Sequence, residues 1–495
     1  MRDSEGTKKD LWRHREAADV RTRDRVVLGL LAGVGIVAVL RMVDWWFRPE
    51  HIANRWLFIA LSIAVWYGII RIVLGWINYV AIKKPEKQTA PEGLHVAIFT
   101  TSTPGEPLSM FAKTLNACER IRYPHTTYLL DDTGDPQFAE VAARFGATHL
   151  ELRDVPGAKA GKINRALETT NEDFILVLDP DHIPFPEFLD RVLGYFDEGV
   201  GFVQVAQAYY NQRRSFTAAG AAEQTYGFYG PGQMGLFGHG AAVAIGANCT
   251  FRRDALKSIG GHGIGLAEDL VTAIRIHAAG WKSIYVPEVL SRGLVPEDLG
   301  SYYRQQLKWA RGVFEVVFAE MPRLFGKLSW RQRLSYATIG TYYLSGAATL
   351  LYLIFPYLYL WARVQPASMA FDEFLGTAGA VGLLGGVIYF FTQRWLCHPA
   401  IERGMHLRAM SLKIGSWPIF LAGTFLAITR IDIPYIPTAK EAVRGRFLML
   451  ALPQLVLIVL YLTTVAHVVN TRLLTSEGAL ELRSEERRVG AECRS

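Results

Sequence analysis

The stretch Asp173-Phe174-Ile175-Leu176-Val177-Leu178-Asp179-Pro180-Asp181-His182 decides how this chain folds. Five consecutive apolar residues run into two carboxylates one residue apart, and Pro180 prevents a regular strand or helix from continuing. The pattern predicts a buried strand of an α/β sheet with an acidic carboxyl end. Ligands of open α/β sheets bind at that end, so Asp179 and Asp181 are candidates for a divalent cation and a phosphorylated ligand. The alternative interpretation is an ordinary strand followed by a turn, where Asp and Pro are common.

Short apolar runs alternate with helical patterns on the amino-terminal side of this stretch. The alternation predicts a mostly parallel sheet with covering helices. The predicted strands are His95–Thr101, Thr126–Leu130 and Ala147–Leu152, and the predicted helices are Pro107–Arg120, Gln137–Phe145 and Gly161–Thr169.

The composition indicates an integral membrane protein. Half of the 495 residues are hydrophobic, and they are concentrated in runs long enough, at ~1.5 Å rise per residue, to cross ~30 Å of hydrocarbon. The net charge of +7 requires no nucleic-acid partner, because Lys and Arg gather beside the apolar runs, as the positive-inside rule expects. The candidate spans are Val26–Phe47, Trp56–Val80, Tyr336–Trp361, Phe374–Phe391 and Phe447–Val469.

Charge also predicts the topology. An interface helix over Ser411–Thr429 fits better than a sixth span, because the basic stretches on both sides of it should be cytosolic. The polar end of the chain looks foreign to the rest and is interpreted as truncated or non-native. The predicted order is a cytosolic basic tail (1–25), two spans (26–82), a cytosolic α/β domain (92–330), two spans (331–392), the interface helix with a loop (393–446), one span (447–470) and a tail (471–495).

Four patterns recur at predicted strand or helix ends in this domain. They are Asp131-Asp132, Asp179-x-Asp181, Glu268-Asp269 after a Gly-rich run, and Gln305-x-x-Lys308-Trp309. In this order and with spans on either side, they resemble the D, DxD, TED and QxxRW pattern of the processive family-2 glycosyltransferases, typified by bacterial cellulose synthase and hyaluronan synthase. Ala158 to Asn164 resembles that family's AKAGNxN, and Gln305 to Gly312 its QRxRWAQG. The similarity covers roughly residues 94–446.

The resemblance implies a GT-A-type, Rossmann-like domain that uses a UDP-sugar and a divalent metal, Mg²⁺ or Mn²⁺. Asp179 and Asp181 are expected to hold the metal, and Asp179 also to lie at the donor. Lys159 is expected to meet a phosphate, and Asp131 and Asp132 to contact the uridine part. A metal and nearby cations stabilise the charge that grows on a departing diphosphate.

The resemblance also implies roles on the acceptor side. Asp269 is the expected general base, and Glu268 is expected to orient it or to stabilise the helix start. Gln305, Lys308 and Trp309 share one helical face, and the Trp309 ring could stack on a pyranose at the mouth of a membrane channel. Lys308, by contrast, is expected to bind the donor at a phosphate; the family usually has Arg there, whose planar two-point contact Lys cannot reproduce.

Tyr435 to Lys440 resembles the gating loop FxVTxK, so Thr438 and Lys440 are expected to cover the diphosphate. The alternative interpretation of this segment is a basic membrane-proximal loop. Two other stretches depart from the family pattern: Asn248 to Arg253 matches neither a cellulose-synthase nor a hyaluronan-synthase loop, and Thr100 to Pro107 lacks the tyrosine of TYNEP.

The resulting hypothesis is an inverting, processive synthase in a bacterial-type inner membrane that extends a linear β-glucan from UDP-glucose and passes it through its own spans. Its expected partners are the UDP-sugar, the growing polysaccharide, membrane lipids and an accessory export subunit, with no nucleic acid. Two alternatives stay open. One is a non-processive enzyme that makes a glycolipid, and the other is a transporter or scaffold with a degenerate enzyme domain.

Overall fold

The computed structural model describes residues 14–431, 433, 445 and 447–474. The main sheet has eight strands in the order β1-β9-β7-β8-β5-β2-β3-β4, and a separate two-stranded ribbon pairs β10 with β6. The strands are β1 Arg15–Glu16, β2 Val96–Thr101, β3 Thr126–Asp131, β4 Thr148–Glu151, β5 Phe174–Leu178, β6 Ile183–Pro184, β7 Val200–Ala206, β8 Cys249–Arg252, β9 Lys282–Val289 and β10 Ser291–Arg292.

The four strands that the sequence predicted are neighbours and run parallel. β2 pairs with both β5 and β3, and β3 pairs with β4. Every residue of β2 and β5 is buried, which explains why these strands appear in the sequence as continuous apolar runs rather than as alternating patterns. Only β8, between β5 and β7, and β1, on β9, are antiparallel to their neighbours. The prediction of a mostly parallel α/β sheet is confirmed.

Helices cover the sheet and extend away from it. The three helices predicted between the first strands are found, each within three residues of the predicted start. Their full set among the described residues is α1 Thr22–Trp46, α2 Arg55–Val80, α3 Leu108–Glu119, α4 Pro136–Arg144, α5 Ala158–Thr169, α6 Phe188–Val192, α7 Phe216–Gly227, α8 Gln233–Gly238, α9 Arg253–Ser258, α10 Glu268–Ala278, α11 Leu299–Glu315, α12 Met321–Leu324, α13 Trp330–Gly340, α14 Ser345–Ala362, α15 Phe371–Thr392, α16 Leu407–Gly415, α17 Trp417–Ile428 and α18 Leu452–Leu474.

Within the part of the chain that the structure describes, five helical segments are long and apolar enough to cross a membrane: Thr22–Trp46, Arg55–Val80, Trp330–Ala362, Phe371–Thr392 and Leu448–Thr471. They coincide with the five predicted spans, although the third begins six residues earlier and is interrupted by a 3₁₀ turn at Tyr342–Leu344. In place of one helix over Ser411–Thr429, the chain forms α16 and α17, bent by 49° at their junction. If this pair is one span, the number rises to six, so the interface position stays a prediction.

The segment before α1 contributes a short strand to the sheet. Within the predicted basic tail (1–25), β1 pairs antiparallel with β9 through Arg15 opposite Val289 and Glu16 opposite Glu288. Lys84, just after α2, forms an ion pair with Glu16. The segment before α1 and the segment after α2 therefore both lie at the β1 edge of the sheet. The sheet thus includes residues well before position 92.

Helix α11 links the sheet domain to the apolar helices. On one side, a Cβ at Gly312 would lie only 2.7 Å from the backbone nitrogen of Ala267, so α11 approaches the start of α10 at van der Waals distance. On its other side, Ala310 and Phe314 pack with Tyr343 and with Phe420 of α17. A displacement of α11 would therefore disturb both the start of α10 and the packing against α17.

Candidate active site at the carboxyl edge of the sheet

The carboxyl ends of β3, β2 and β5 lie side by side, because Thr101 of β2 is in register with Leu130 and Thr100 with Leu178. The acidic residues that follow β3 and β5 are therefore brought to one edge of the sheet, as the sequence predicted. The candidate site is built on this edge.

Asp131 is fully enclosed at the end of β3. It accepts hydrogen bonds from the Ser102 hydroxyl, from Thr133, and from His149 Nε2 at 2.9 Å. Burial alone would raise the pKa of Asp131, but these hydrogen bonds outweigh it and lower the pKa. The geometry gives Asp131 a supporting position, whereas its neighbour Asp132 is partly exposed and is the acid of the doublet that a ligand can reach. The uridine contact expected of both residues stays a prediction.

Asp132 is paired with a residue that sequence reasoning overlooked. Lys162 of α5, almost completely buried, places its ammonium 3.3 Å from Asp132 Oδ2. The signal was present in the sequence, since Lys162 stands where the resembling AKAGNxN pattern has Asn.

Asp179, Asp181 and His182 form a candidate metal centre. One ligand atom from each lies within 4.8 Å of the others, and the backbone N–H of Leu294 fixes Asp181 through a 2.8 Å hydrogen bond. His182 is buried, yet neither ring nitrogen makes a hydrogen bond within the described part of the chain, and Nδ1 lies 3.5 Å from Asp181 Oδ1. Two carboxylates and an orphaned imidazole fit a hard or borderline divalent cation such as Mg²⁺ or Mn²⁺. His182 was missed as a ligand because its orientation cannot be inferred from the sequence.

Lys159, expected at a phosphate, contacts Asp179 at 2.5 Å and donates a hydrogen bond to the carbonyl oxygen of Gly246. Burial would lower the pKa of Lys159, but the carboxylates of Asp179, Glu268 and Asp269 together raise it. The ammonium is therefore held in its charged form beside the candidate metal centre.

Glu268 and Asp269 begin α10, as predicted. Asp269 Oδ2 lies 3.4 Å from the position that a Cβ at Gly246 would occupy, and Lys159 Nζ lies 4.0 Å from the same point. Burial raises the pKa of Asp269 to about 7, and the carboxylate of Glu268 acts in the same direction, whereas the Leu270 N–H, Lys159 and Lys308 lower it. A carboxylate with such a pKa can accept a proton near neutral pH.

The loop before α10 is tied to α5. Asn164, the last residue of the Ala158 to Asn164 motif, donates to the carbonyl oxygen of His262 at 2.9 Å and accepts from the His262 N–H at 2.6 Å. This pair of hydrogen bonds explains physically why an amide suits that position. The helix that carries Lys159 therefore also fixes the loop that leads to Asp269.

Gln305, Lys308 and Trp309 lie on α11, as predicted, and are partly exposed. Lys308 is near enough to Asp269 to lower its pKa. Trp309 packs against the cluster that includes Phe314, Tyr343 and Phe420. The three side chains are thus placed between the acidic edge and the apolar helices, while their acceptor and donor roles stay predictions. Thr438 and Lys440 lie outside the described residues.

Comparison with known proteins agrees with this geometry. A family model described as glycosyltransferase like family 2 matches residues 108–312. The cellulose synthase catalytic subunit (UDP-forming) of Komagataeibacter sucrofermentans is 29% identical over 343 residues, which are 65% of this chain and 45% of that protein. The protein of the same name from Pseudomonas fluorescens is 27% identical over 356 residues, which are 68% of this chain and 48% of that protein. The chain thus spans less than half of the length of these relatives.

A solved structure shares the fold. The mannosyltransferase PcManGT from Pyrobaculum calidifontis, in complex with GDP-Man and Mn²⁺, superimposes with a TM-score of 0.53 at 17% identity, covering 76% of this chain and 99% of that one. The prediction of a GT-A-type fold is confirmed. Residues 108–312 of this chain thus match the family model of glycosyltransferase like family 2 and lie within a GT-A-type fold.

Proposed function

We propose that the chain is an inverting, processive β-glycosyltransferase that extends a linear β-glucan from UDP-glucose and passes the polymer across a bacterial-type inner membrane. The observation that carries the proposal is the convergence of four carboxylates from three separate segments beside a helix that packs on the apolar helices: Asp132 after β3, Asp179 and Asp181 after β5, and Asp269 at the start of α10. The printed names of the relatives, cellulose synthase catalytic subunit (UDP-forming), favour UDP-glucose and a β-glucan product.

On the donor side, Asp132 holds the nucleoside and Lys159 contacts the diphosphate. Asp179 and Asp181, with His182, hold Mg²⁺ or Mn²⁺, which when bound neutralises charge on the diphosphate. The Lys159 ammonium is already buried and kept charged by three carboxylates. When the negatively charged diphosphate binds, no further side-chain cation has to be desolvated. Thr438 and Lys440 close over the diphosphate in this proposal.

On the acceptor side, Asp269 accepts the proton of the sugar hydroxyl as that oxygen bonds to the anomeric carbon. The bond from the anomeric carbon to the diphosphate breaks with its electron pair, so UDP leaves. Because attack comes from the face opposite UDP, the anomeric configuration is inverted. Glu268 keeps Asp269 basic through charge repulsion, and Lys308 offsets part of that repulsion.

The product is held by α11 and leaves between the apolar helices. Trp309 provides an aromatic face for the terminal sugar, and Gln305 a hydrogen-bonding amide. Trp309 packs against the aromatic cluster that includes Tyr343 and Phe420, so this side of α11 adjoins the apolar helices. An accessory export subunit receives the polymer on the other side in this proposal.

The test is incorporation of radiolabelled UDP-glucose by the purified full chain in lipid nanodiscs with Mn²⁺, followed by sizing of the product. The proposal expects a polymer from the parent protein and none from Asp269→Asn, with UDP binding kept. Asp254→Asn is the matched control, because Asp254 is also an acid in the first turn of a helix but is exposed. A glycolipid as sole product would contradict processivity, and no transfer from any UDP-sugar would overturn the proposal.

A further inference from the structure

Two buried lysines on one face of α5 pair with carboxylates that follow two different strands. Lys159 and Lys162 are three residues apart and thus neighbours on the helix surface. Lys159 contacts Asp179 after β5 at 2.5 Å, and Lys162 contacts Asp132 after β3 at 3.3 Å. One helix therefore bridges the acids expected at the two ends of a sugar nucleotide.

Lys162 also reaches the strand that lies between these two. Its ammonium donates to the carbonyl oxygen of Ser102 and lies 3.5 Å from the Thr103 hydroxyl oxygen, both just after β2. Since β2 sits between β5 and β3, the ends of three adjacent strands are held by α5. A side chain with three donors and no acceptor suits such a site.

Asp132 is the carboxylate with the largest electrostatic effect on Lys162, ahead of Glu106 and Asp131. The side chain of Lys162 is 2% exposed while that of Asp132 is 27% exposed, so the buried cation lies beneath a carboxylate that faces the site. Burial lowers the pKa of Lys162, and Asp132 opposes that effect. Without the cation, the Asp132 carboxylate would keep, within the described part of the chain, the 3.3 Å hydrogen bond that it accepts from the Asp154 N–H.

The backbone of α5 is shaped for this close approach. Gly161 lies between the two lysines, and a Cβ there would come within 1.9 Å of the carbonyl oxygen of Pro156. The first turn of the helix is thus pressed against the loop before it. This contact fixes the positions of Lys159 and Lys162 relative to the preceding loop. It therefore also fixes the separation of the two carboxylates that they contact.

We propose that Lys162 is a positioning residue for the donor nucleotide: it fixes Asp132 and the loop after β2 relative to Asp179, so that the nucleoside and diphosphate subsites keep their spacing. This inference rests on the proposed function. Position 162 departs from the resembling motif, which has Asn there.

The test is the donor KM and kcat of the full chain, with UDP binding measured by calorimetry in Mn²⁺. Lys162→Met is expected to raise the donor KM and weaken UDP binding about tenfold, the effect of losing a charge-assisted hydrogen bond, with kcat changed less than about twofold. Lys162→Asn, which installs the residue of the resembling motif, is the variant chosen to keep the fold and is expected to shift KM in the same direction. Arg165→Met is the matched control, because Arg165 lies on the same helix but is exposed and paired only with Glu168 among the described residues.

A double variant separates positioning from direct contact. If Lys162 acts through Asp132, Lys162→Asn adds less than about twofold to the KM of Asp132→Asn, whereas independent effects would multiply. Wild-type KM in either folded Lys162 variant, or multiplying effects in the double variant, would overturn the inference. Absence of UDP binding by the parent protein would instead refute the proposed function itself.

Discussion

The pH dependence of transfer should be set by Asp269, and two neighbouring charges should move it in opposite directions. Asp269 must be ionised to accept a proton, and burial together with Glu268 raises its pKa to about 7. At pH 6, one unit lower, about one tenth of the protein carries the base, so kcat/KM is expected to fall about tenfold for each further pH unit. Activity should level off above about pH 8.

Two variants test in which direction each neighbouring charge shifts the pKa of Asp269. Glu268→Gln removes the repulsion that raises the pKa of Asp269, so the midpoint of the acidic limb should move to lower pH. Lys308→Met removes a cation that lowers this pKa, so the midpoint should move to higher pH. Initial rates of UDP release between pH 5 and 9, at a donor concentration below KM, give the midpoint of the acidic limb of the pH–rate profile for each protein.

The comparison controls for the substrate, because the ionisation of UDP-glucose and its metal complex is the same for all three proteins. Equal midpoints in the parent protein and both variants would refute the assignment of the limb to Asp269. A shift to higher pH in Glu268→Gln would contradict the electrostatic reasoning even if the limb itself were present.

Three further outcomes follow from contacts outside the proton transfer. His182→Ala should raise the Mn²⁺ concentration for half-maximal activity about tenfold, and an unchanged metal titration would exclude His182 as a ligand. Arg15→Met leaves the buried Glu402 without its 2.8 Å ion pair and should destabilise the protein by about 3 kcal/mol in a denaturation experiment, whereas Arg15→Met with Glu402→Met should cost less; equal costs would contradict the pairing. Gly312→Ala should lower kcat about tenfold or more by displacing the start of α10, while Gly326→Ala, with open space around it, should have no effect; similar activity of both variants would show that the close approach is unimportant.

The centre of the α/β sheet was predictable because its strands β2 and β5 are fully buried. β2 and β5 carry unbroken apolar runs that end in polar residues, and the parallel order then follows from alternation with helices. The predicted and observed helix boundaries differ where a capping residue sets the first turn. Helix α4 begins at Pro136 rather than Gln137, because the side chain of Asp135 accepts a hydrogen bond from the Gln137 N–H at 2.9 Å.

Other features leave no periodic signal in the sequence. β1 has two residues, too few for an alternating pattern, and its place on β9 depends on partners such as Lys84 that are distant in the sequence. The turn at Tyr342–Leu344 interrupts the predicted span Tyr336–Trp361 at a point where the sequence has no proline to indicate a break. The orientation of His182 depends on packing against Gly293, which only three-dimensional contacts reveal.

The central claim is that carboxylates from separate parts of the chain form one metal-dependent nucleotide site against the apolar helices. An electron cryo-microscopy structure of the full chain with UDP and Mn²⁺ tests it most directly. The account predicts a metal ion within about 2.5 Å of oxygens of Asp179 and Asp181, the uridine beside Asp132 and the diphosphate beside Lys159. Nucleotide bound elsewhere, or a metal ion without contact to either aspartate, would contradict it.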